Sequence, residues 1–220
     1  MRVIARIRNP YDGKFGVPRQ SGLVEQVVST IVFEPEFRVD EALRGIEEYS
    51  HLWLIWAFDR AEREEWSPTV RPPRLGGNKR IGVFATRSPY RPNAIGLSCV
   101  KLLATEKGKE GTVLKVAGAD LMNGTPIYDI KPYLPYADCR PEATGGFTDR
   151  TEKRTVQVEI PEELSGALST EEQETLKAVL REDPRPAYQD DPERIYAFEF
   201  GGRHVEFRVQ DDRLIITRLC

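Results

Sequence analysis

The run His51-Leu52-Trp53-Leu54-Ile55-Trp56-Ala57-Phe58 holds one polar residue in eight. Crossing a bilayer takes roughly 20 apolar residues, so a run this short reads as a strand that must be covered on both faces. No uninterrupted apolar stretch approaches membrane-span length, and Met1-Arg2-Val3-Ile4-Ala5-Arg6 places arginine where a secretory leader needs apolar residues. A cytoplasmic location is expected. Further strand signatures lie at Val3–Ile7, Leu23–Phe33, Ile81–Thr86, Ile95–Leu103, Thr112–Ala117 and Pro126–Ile130. Between them, apolar residues at 42, 43, 46 and 49 behind Asp40 predict one short amphipathic helix over Asp40–Tyr49. The strands are short and do not alternate regularly with helices. That disfavours a doubly wound parallel sheet and predicts a mainly β chain whose core domain is a closed or nearly closed β-barrel.

The stretch 139–153 is polar and Gly-rich and reads as a linker. Beyond it, Thr170–Arg181 has apolar positions at Leu176, Val179 and Leu180 and reads as a helix stopped by Asp183-Pro184-Arg185-Pro186. Ile195–Phe200, His204–Val209 and Leu214–Leu219, separated by Gly201-Gly202 and Asp211-Asp212, predict a three-stranded meander. The expected organisation is a β-barrel domain over 1–138, a linker over 139–153 and a small α+β domain over 154–220, too small to dispense with the first.

Composition narrows the chemistry. Hydrophobic residues at 40% and charged residues at 30% of 220 exclude disorder. Cys99, Cys139 and Cys220 are odd in number, far apart and without a C-x-x-C pair, and only two histidines are present, which argues against a disulfide framework and against a metal centre. Neither G-x-G-x-x-G nor G-x-x-x-x-G-K-[ST] occurs, so ordinary dehydrogenases and NTPases are excluded. Ser98 and Cys99 have no nearby histidine or nucleophile elbow, which removes triad chemistry.

Charge is unevenly spread. Through Arg140 there are 21 Lys+Arg against 17 Asp+Glu, and beyond it 11 against 18. The segment 71–91 holds Arg71, Arg74, Lys79, Arg80, Arg87 and Arg91 with no acidic residue, which suits a polyanion. A solvated loop paired with acids elsewhere is the alternative. Four polar clusters stand at strand ends beside Gly or Pro: Pro18–Gly22, Thr86–Asn93, Asp120–Pro126 and Tyr128–Tyr133. Asp129 beside Lys131 is either an internal ion pair or a positioned base with a neighbouring cation. Arg87 and Arg91 present forked donors suited to carboxylate or phosphate.

Phe15-Gly16-Val17-Pro18-Arg19-Gln20-Ser21-Gly22-Leu23, Arg71-Pro72-Pro73-Arg74-Leu75-Gly76-Gly77-Asn78, Gly82-Val83-Phe84-Ala85-Thr86-Arg87-Ser88, Arg91-Pro92-Asn93-Ala94-Ile95-Gly96-Leu97-Ser98 and Asp129-Ile130-Lys131-Pro132-Tyr133-Leu134-Pro135-Tyr136 closely resemble the TrmO (YaeB-like) family of tRNA N6-methyltransferases. Asp183–Tyr188 is similar to the small C-terminal domain of its bacterial members. The resemblance implies a non-Rossmann β-barrel, a homodimer, S-adenosylmethionine as cofactor, and tRNA as partner. The substrate it implies is threonylcarbamoyladenosine immediately 3′ of the anticodon in threonine tRNA, methylated at N6. It also implies that the cofactor meets Gln20, Ser21, Gly22, Asp59, Arg60, Arg87, Leu97, Leu121, Met122, Asn123, Gly124 and Thr125. The chain departs from the family pattern at Asn123, where members carry Asp, and at Asp59-Arg60, where they carry His-Gln.

On this reading Asp129 is the first candidate for removing the N6 proton and Tyr133 the second. Arg87, Arg91 or Lys131 would pair with the threonyl carboxylate, Arg71, Arg74, Lys79 and Arg80 with phosphates, and the ring of Tyr90 would stack on a base, with Asn93 alongside. Two other classes remain open: an RNA binder without catalysis, and an S-adenosylmethionine enzyme acting on a small metabolite.

Overall fold

The computed structural model describes residues 1–60, 65–151, 154–185 and 191–220, except the side chain of Arg74. Its first part contains β1 (Ala5–Arg8), β2 (Val28–Phe33), β3 (His51–Ala57), β4 (Thr69–Val70), β5 (Ile81–Gly82), β6 (Ile95–Gly108), β7 (Gly111–Ala117), β8 (Pro126–Pro132) and a single helical turn, α1 (Pro135–Asp138). Six strands join antiparallel in the order β1-β2-β7-β6-β3-β8. β8 returns to β1 through Ala5↔Ile127 and Arg6↔Pro126, so the sheet closes into a barrel. Alternate residues point inward, which gives a core of Ala5, Ile7, Ile31, Leu52, Leu54, Trp56, Val100, Leu114, Val116 and Ile127. The mainly β expectation is met.

Several local expectations are corrected. β3 is not covered on both faces: Leu52, Leu54 and Trp56 are buried, but His51, Trp53 and Ile55 on its outer face are only half-buried. The predicted helix over Asp40–Tyr49 is instead two 3-10 turns, Asp40–Leu43 and Ile46–Glu48. Gly45 between them has φ +84°, and ten residues interrupted by a left-handed glycine cannot sustain an α-helical nucleus. Of Leu23–Phe33 only Val28–Phe33 is strand, and of Ile81–Thr86 only Ile81–Gly82, because Val83–Ala85 turns as 3-10 helix.

The second part contains β9 (Gln157–Glu159), α2 (Glu162–Ser165), α3 (Thr170–Arg181), β10 (Tyr196–Phe200), β11 (Arg203–Gln210) and β12 (Arg213–Leu219). α3 starts at a capping box, in which the Ser169 hydroxyl accepts from the Glu172 amide and the Glu172 carboxylate accepts from the Ser169 amide. The meander is present as β10-β11-β12, with β9 added parallel to β12 as a fourth strand. Pro186–Asp190, the end of the predicted helix stop, lie outside the described residues, as do Glu152 and Lys153 of the linker.

The hydrophobic centre of this second part is not made from its own residues alone. Tyr11, Val24 and Val27, with Phe15, Val17 and Leu23 beside them, pack among Leu176, Val179, Leu180, Phe198 and Phe207. Gly16, at φ +91°, lies against Phe198 so closely that a Cβ there would stand 2.7 Å from the ring. The connection from β1 to β2 therefore leaves the barrel, lines the second core, and returns.

Candidate functional site

Three of the four polar clusters meet at one end of the barrel. The Gly22 amide donates to the Gly118 carbonyl (2.8 Å), bringing 19–22 against the loop after β7. Ser21 Oγ accepts from the Cys99 amide of β6 (3.2 Å). Arg87 Nη1 donates to Gln20 Oε1 (2.5 Å), which brings in the 86–93 loop. A side chain at Gly118 would be strained, because its φ is +77° and a Cβ there would crowd the Gly22 backbone at 3.2 Å. Gly22 itself is exposed, at φ +79°, with open space where its own Cβ would point.

A buried polar chain underlies this meeting point. Trp56 Nε1 donates to Ser98 Oγ (2.9 Å), and Ser98 Oγ donates to Asp120 Oδ1 (2.5 Å). The indole can lie across β6 because Gly96 is beneath it: a Cβ at Gly96 would stand 2.2 Å from the ring. Burial pushes the Asp120 carboxyl up from its ordinary value, opposed by the Ser98 hydroxyl, by the charge of Arg87 and by the Ser21 amide. The phenol of Tyr11 is also raised, by its burial and then by the Asp120 charge. Neither Asp120, Ser98 nor Trp56 was singled out from sequence as a site residue. The available signal is the lone charge in Val116-Ala117-Gly118-Ala119-Asp120-Leu121.

The remaining sequence-predicted cofactor residues divide. Leu97, next to Ser98, is 53% exposed, an apolar side chain left facing solvent beside polar loops. Leu121 and Thr125 are buried, and Met122 and Gly124 half-buried. Asn123 has its side chain engaged within the fold: Oδ1 accepts from the Asn9 amide (3.3 Å) and Nδ2 donates to Asp12 Oδ1 (3.0 Å). Arg60 Nη2 donates to the Asn123 carbonyl (3.0 Å) and Nη1 to that of Asp12 (3.4 Å). The two departures from the family pattern thus sit together, joined to each other through the 9–12 loop. Asp59 is exposed. On the outer side of the same loop, a cleft of about 430 Å³ is lined by Arg6, Arg8, Arg38, Asn123 and Gly124. Arg6 pairs with Glu34 and Arg8 with Glu110, so it does not present unpaired cations.

The fourth cluster lies on the outer face of β8. Register aligns Asp129 with Ile55 and Ile55 with Leu97, placing the three in one row across adjacent strands. At about 4.8 Å per strand, Asp129 and Leu97 are roughly 10 Å apart along that row. Asp129 Oδ2 pairs with Lys131 Nζ (2.9 Å) at side-chain exposures of 45% and 61%, and Oδ1 accepts from the Ile130 amide. The ion pair is therefore on the surface rather than internal. Tyr133 packs on Trp53 (ring centroids 5.8 Å), and desolvation pushes its phenol up from the ordinary value.

The basic stretch is a hairpin. β4 and β5 pair Thr69↔Gly82 and Val70↔Ile81 and hold out the loop 71–80. Arg71 and Lys79 are exposed and have no acidic partner among the described residues, whereas Arg80 donates to Thr69 Oγ1 (2.9 Å). The side chain of Arg74 lies outside the described residues. Arg91 turns inward to the carbonyls of Ser88, Thr86 and Val83, so its guanidinium shapes its own loop instead of facing a ligand. The ring of Tyr90 is half-buried, less open than the sequence reading expected, and Asn93 is exposed.

Taken chemically, the barrel end offers a guanidinium, a primary amide, a hydroxyl, open glycine backbone and an exposed leucine. Polar donors beside an apolar side chain suit a small ligand that has an anionic group and an apolar part. Among the described residues no group of three or more His, Cys, Asp or Glu side chains is arranged to hold a metal ion, and no helix is long and apolar enough to cross a membrane.

Comparison with known proteins follows the same division of the chain. Residues 6–139 match the tRNA-methyltransferase O N-terminal domain, and residues 153–220 the TrmO C-terminal domain. A tRNA (adenine(37)-N6)-methyltransferase of Escherichia coli K12 is 41% identical over 94% of this chain and 92% of its own length. A Pseudomonas aeruginosa protein named as a candidate S-adenosylmethionine-dependent methyltransferase is 41% identical over 88% of this chain and 85% of its own. Among solved structures, a crystal structure of TrmO superposes with a TM-score of 0.79 at 32% identity, covering 99% of this chain and 97% of that one.

Proposed function

The chain belongs to the TrmO family of tRNA methyltransferases, and from that premise we propose that it methylates N6 of the adenine immediately 3′ of the anticodon, with S-adenosylmethionine as donor. The acceptor in this reading is threonylcarbamoyladenosine in threonine tRNA, and the working form is a homodimer. Residues 1–138 carry the chemistry, 139–153 link, and 154–220 form the small α+β domain. The observation that carries the reading is the meeting of Gln20–Gly22 with Arg87, with β6 at Cys99 and with the loop after β7 at Gly118, over the Ser98–Asp120 hydrogen bond.

When bound, S-adenosylmethionine supplies an electrophilic methyl group. Arg87 suits its carboxylate, Gln20 and Ser21 its polar groups, and Leu97 its adenine, while Gly22 admits close backbone approach. The chain's main task is alignment, because the reaction discharges a cation rather than creating a large new charge. The N6 nitrogen that attacks the methyl carbon belongs to a ureido group and must lose a proton, and Asp129 is assigned to take it. Tyr133, whose phenol desolvation makes still harder to ionise, is the weaker candidate for that role and the better hydrogen-bond donor. Lys131, which pairs with Asp129, is assigned to the threonyl carboxylate once Asp129 is neutralised. Arg71 and Lys79 supply phosphate contacts, and Arg91 acts by fixing the shape of the 83–91 loop.

The test is a transfer assay with labelled S-adenosylmethionine and two anticodon-arm RNAs identical except for the threonylcarbamoyl group. Label in the modified RNA alone supports the reading, with carboxylate recognition. Label in neither, with cofactor binding measured, points to a small-metabolite acceptor, and RNA binding without cofactor binding to a non-catalytic binder.

A further inference from the structure

Trp66 and Phe84 are both left open to water, at 49% and 74% exposure, and their rings lie nearly parallel, 24° apart with centroids separated by 6.1 Å. They stand on the two legs of the basic hairpin: Trp66 just before β4 and Phe84 just after β5. The legs are fastened to one another below them, since the Val83 amide donates to the Pro68 carbonyl (3.0 Å) and the Ser67 amide to that of Tyr90 (3.4 Å). Phe84 faces outward because the 3-10 turn Val83–Ala85 buries Val83 instead. The pair is therefore an exposed aromatic surface at the base of a cationic hairpin: Glu65, exposed beside Trp66, is the one acid in residues 65–91, against Arg71, Arg74, Lys79, Arg80, Arg87 and Arg91. Stacked aromatic rings beside such an excess of positive charge suit a ligand with flat apolar rings and a regularly anionic backbone.

We propose that Trp66 and Phe84 form a stacking platform for an unpaired nucleobase of the RNA loop, with the 71–80 hairpin holding the adjoining phosphates. The proposal rests on the tRNA reading and deepens it. Phe84 is three residues from Arg87, so the two backbones are at most about 11 Å apart, and the platform is built on the same loop as that proposed cofactor group. Duplex RNA keeps its bases stacked on one another and cannot use the surface, so the platform selects loops over helices.

The experiment is fluorescence-anisotropy binding of a labelled anticodon-arm hairpin, and of a duplex of equal length, across a salt series without cofactor. Phe84→Ala and Trp66→Ala are expected to weaken hairpin binding about tenfold each with the salt slope unchanged and duplex binding unaffected. Arg71→Ala is expected instead to lower the slope by about one. Phe84→Tyr should retain binding and Phe84→Leu should not, since only the first keeps a π face. Hairpin binding by Phe84→Ala or Phe84→Leu equal to wild type overturns the proposal. So does a fall in sedimenting mass in Phe84→Ala, which would assign the rings to a contact between copies. Because no methyl transfer is involved, loop-selective binding by a protein that fails the transfer assay refutes the enzymatic reading and leaves the platform standing.

Arg19 supports a second, independent inference. Its Nη2 donates to the carbonyls of Asp183 (3.0 Å) and Arg185 (2.9 Å), which are held in place by the buried bidentate pair between Arg185 and the Asp183 carboxylate (2.8 and 2.9 Å). Gln20, Ser21 and Gly22 follow immediately in sequence. We infer that Arg19 is a positioning residue through which the C-terminal unit fixes the proposed cofactor loop. Calorimetric titration with S-adenosylmethionine is expected to show affinity about tenfold weaker in Arg19→Ala and partly recovered in Arg19→Lys, with RNA affinity within twofold of wild type. Unchanged cofactor affinity with a lowered melting temperature would make the contact merely structural, and a fall in RNA affinity would make the C-terminal unit an RNA contact; either overturns the inference. A wild-type protein that binds no S-adenosylmethionine removes the cofactor reading itself.

Discussion

Replacing Ser98 with alanine breaks the buried chain beneath the proposed cofactor loops at its middle link. Ser98 is 1% exposed and Trp56 6%, so no solvent replaces the lost hydroxyl. The indole N–H loses its acceptor, a penalty of about 1–3 kcal/mol for a buried donor left unpaired, and the Asp120 carboxylate loses a charge-assisted bond of about 1.5–3 kcal/mol. The second loss is partly offset, because the carboxyl keeps the Ser21 amide and the charge of Arg87 and can take up a proton. A net cost of about 3 kcal/mol is expected. For a chain of this size that corresponds to a fall in melting temperature of about 6–12 °C. The pH dependence carries the sign. The folded pKa of Asp120 is raised above 3.8, so its contribution to stability is fully present below 3.8 and is lost as pH rises through the folded value. Removing Ser98 raises that value further, so the deficit of Ser98→Ala should grow from pH 4 to pH 7. Calorimetric melts of both proteins across this range test it. A deficit under 2 °C at pH 7, or one that grows toward acid, would refute the account of the Trp56–Ser98–Asp120 chain.

Three other outcomes follow from the described geometry. His204 lies between Glu199 (2.6 Å) and Glu206 (3.2 Å), and its pKa is raised above 6.5 chiefly by the hydrogen bond to Glu199; its stabilisation is present below pH 6.5 and lost as pH rises through the folded value, so melting curves of His204→Gln should be flatter than wild type over that window. Asp129→Ala should lower the methyl-transfer rate by about 10²–10⁴ if the carboxylate is the base, with far-UV dichroism unchanged because Asp129 is surface-exposed, whereas Arg87→Ala should mainly raise the KM for S-adenosylmethionine; full turnover in both variants would overturn the site assignment.

What the sequence disclosed depended on how local its signals were. Thr170–Arg181 was legible to the residue because its apolar spacing and the prolines just after it are local signals, and the capping box at Ser169 fixes the same start. β9 was not, because Gln157-Val158-Glu159 becomes a strand only through its partner β12, some 55 residues later. Asp40–Tyr49 had a helical pattern, but a pattern cannot outweigh a left-handed Gly45 in so short a piece. At the site, residues beside Gly and Pro were legible as loop clusters. The coupling of Ser98 to Trp56 and Asp120, the inward turn of Arg91 and the engagement of Asn123 by Asn9 and Asp12 were not, because each is a choice of partner made across the folded chain.

The excursion of residues 11–27 into the second core sets an order of assembly. β8 ends at Pro132, so every strand of the barrel is available once about 60% of the chain has been synthesised, and its closure needs nothing later. Tyr11, Val24 and Val27, by contrast, wait for Leu176–Leu180, Phe198 and Phe207, contacts of high sequence separation that form slowly. The loop 19–22 is suspended between those waiting side chains. If 19–22 hold the cofactor as proposed, competence to bind it is expected last, when the C-terminal sheet docks, and a chain interrupted before residue 200 is expected to carry a closed barrel without cofactor affinity.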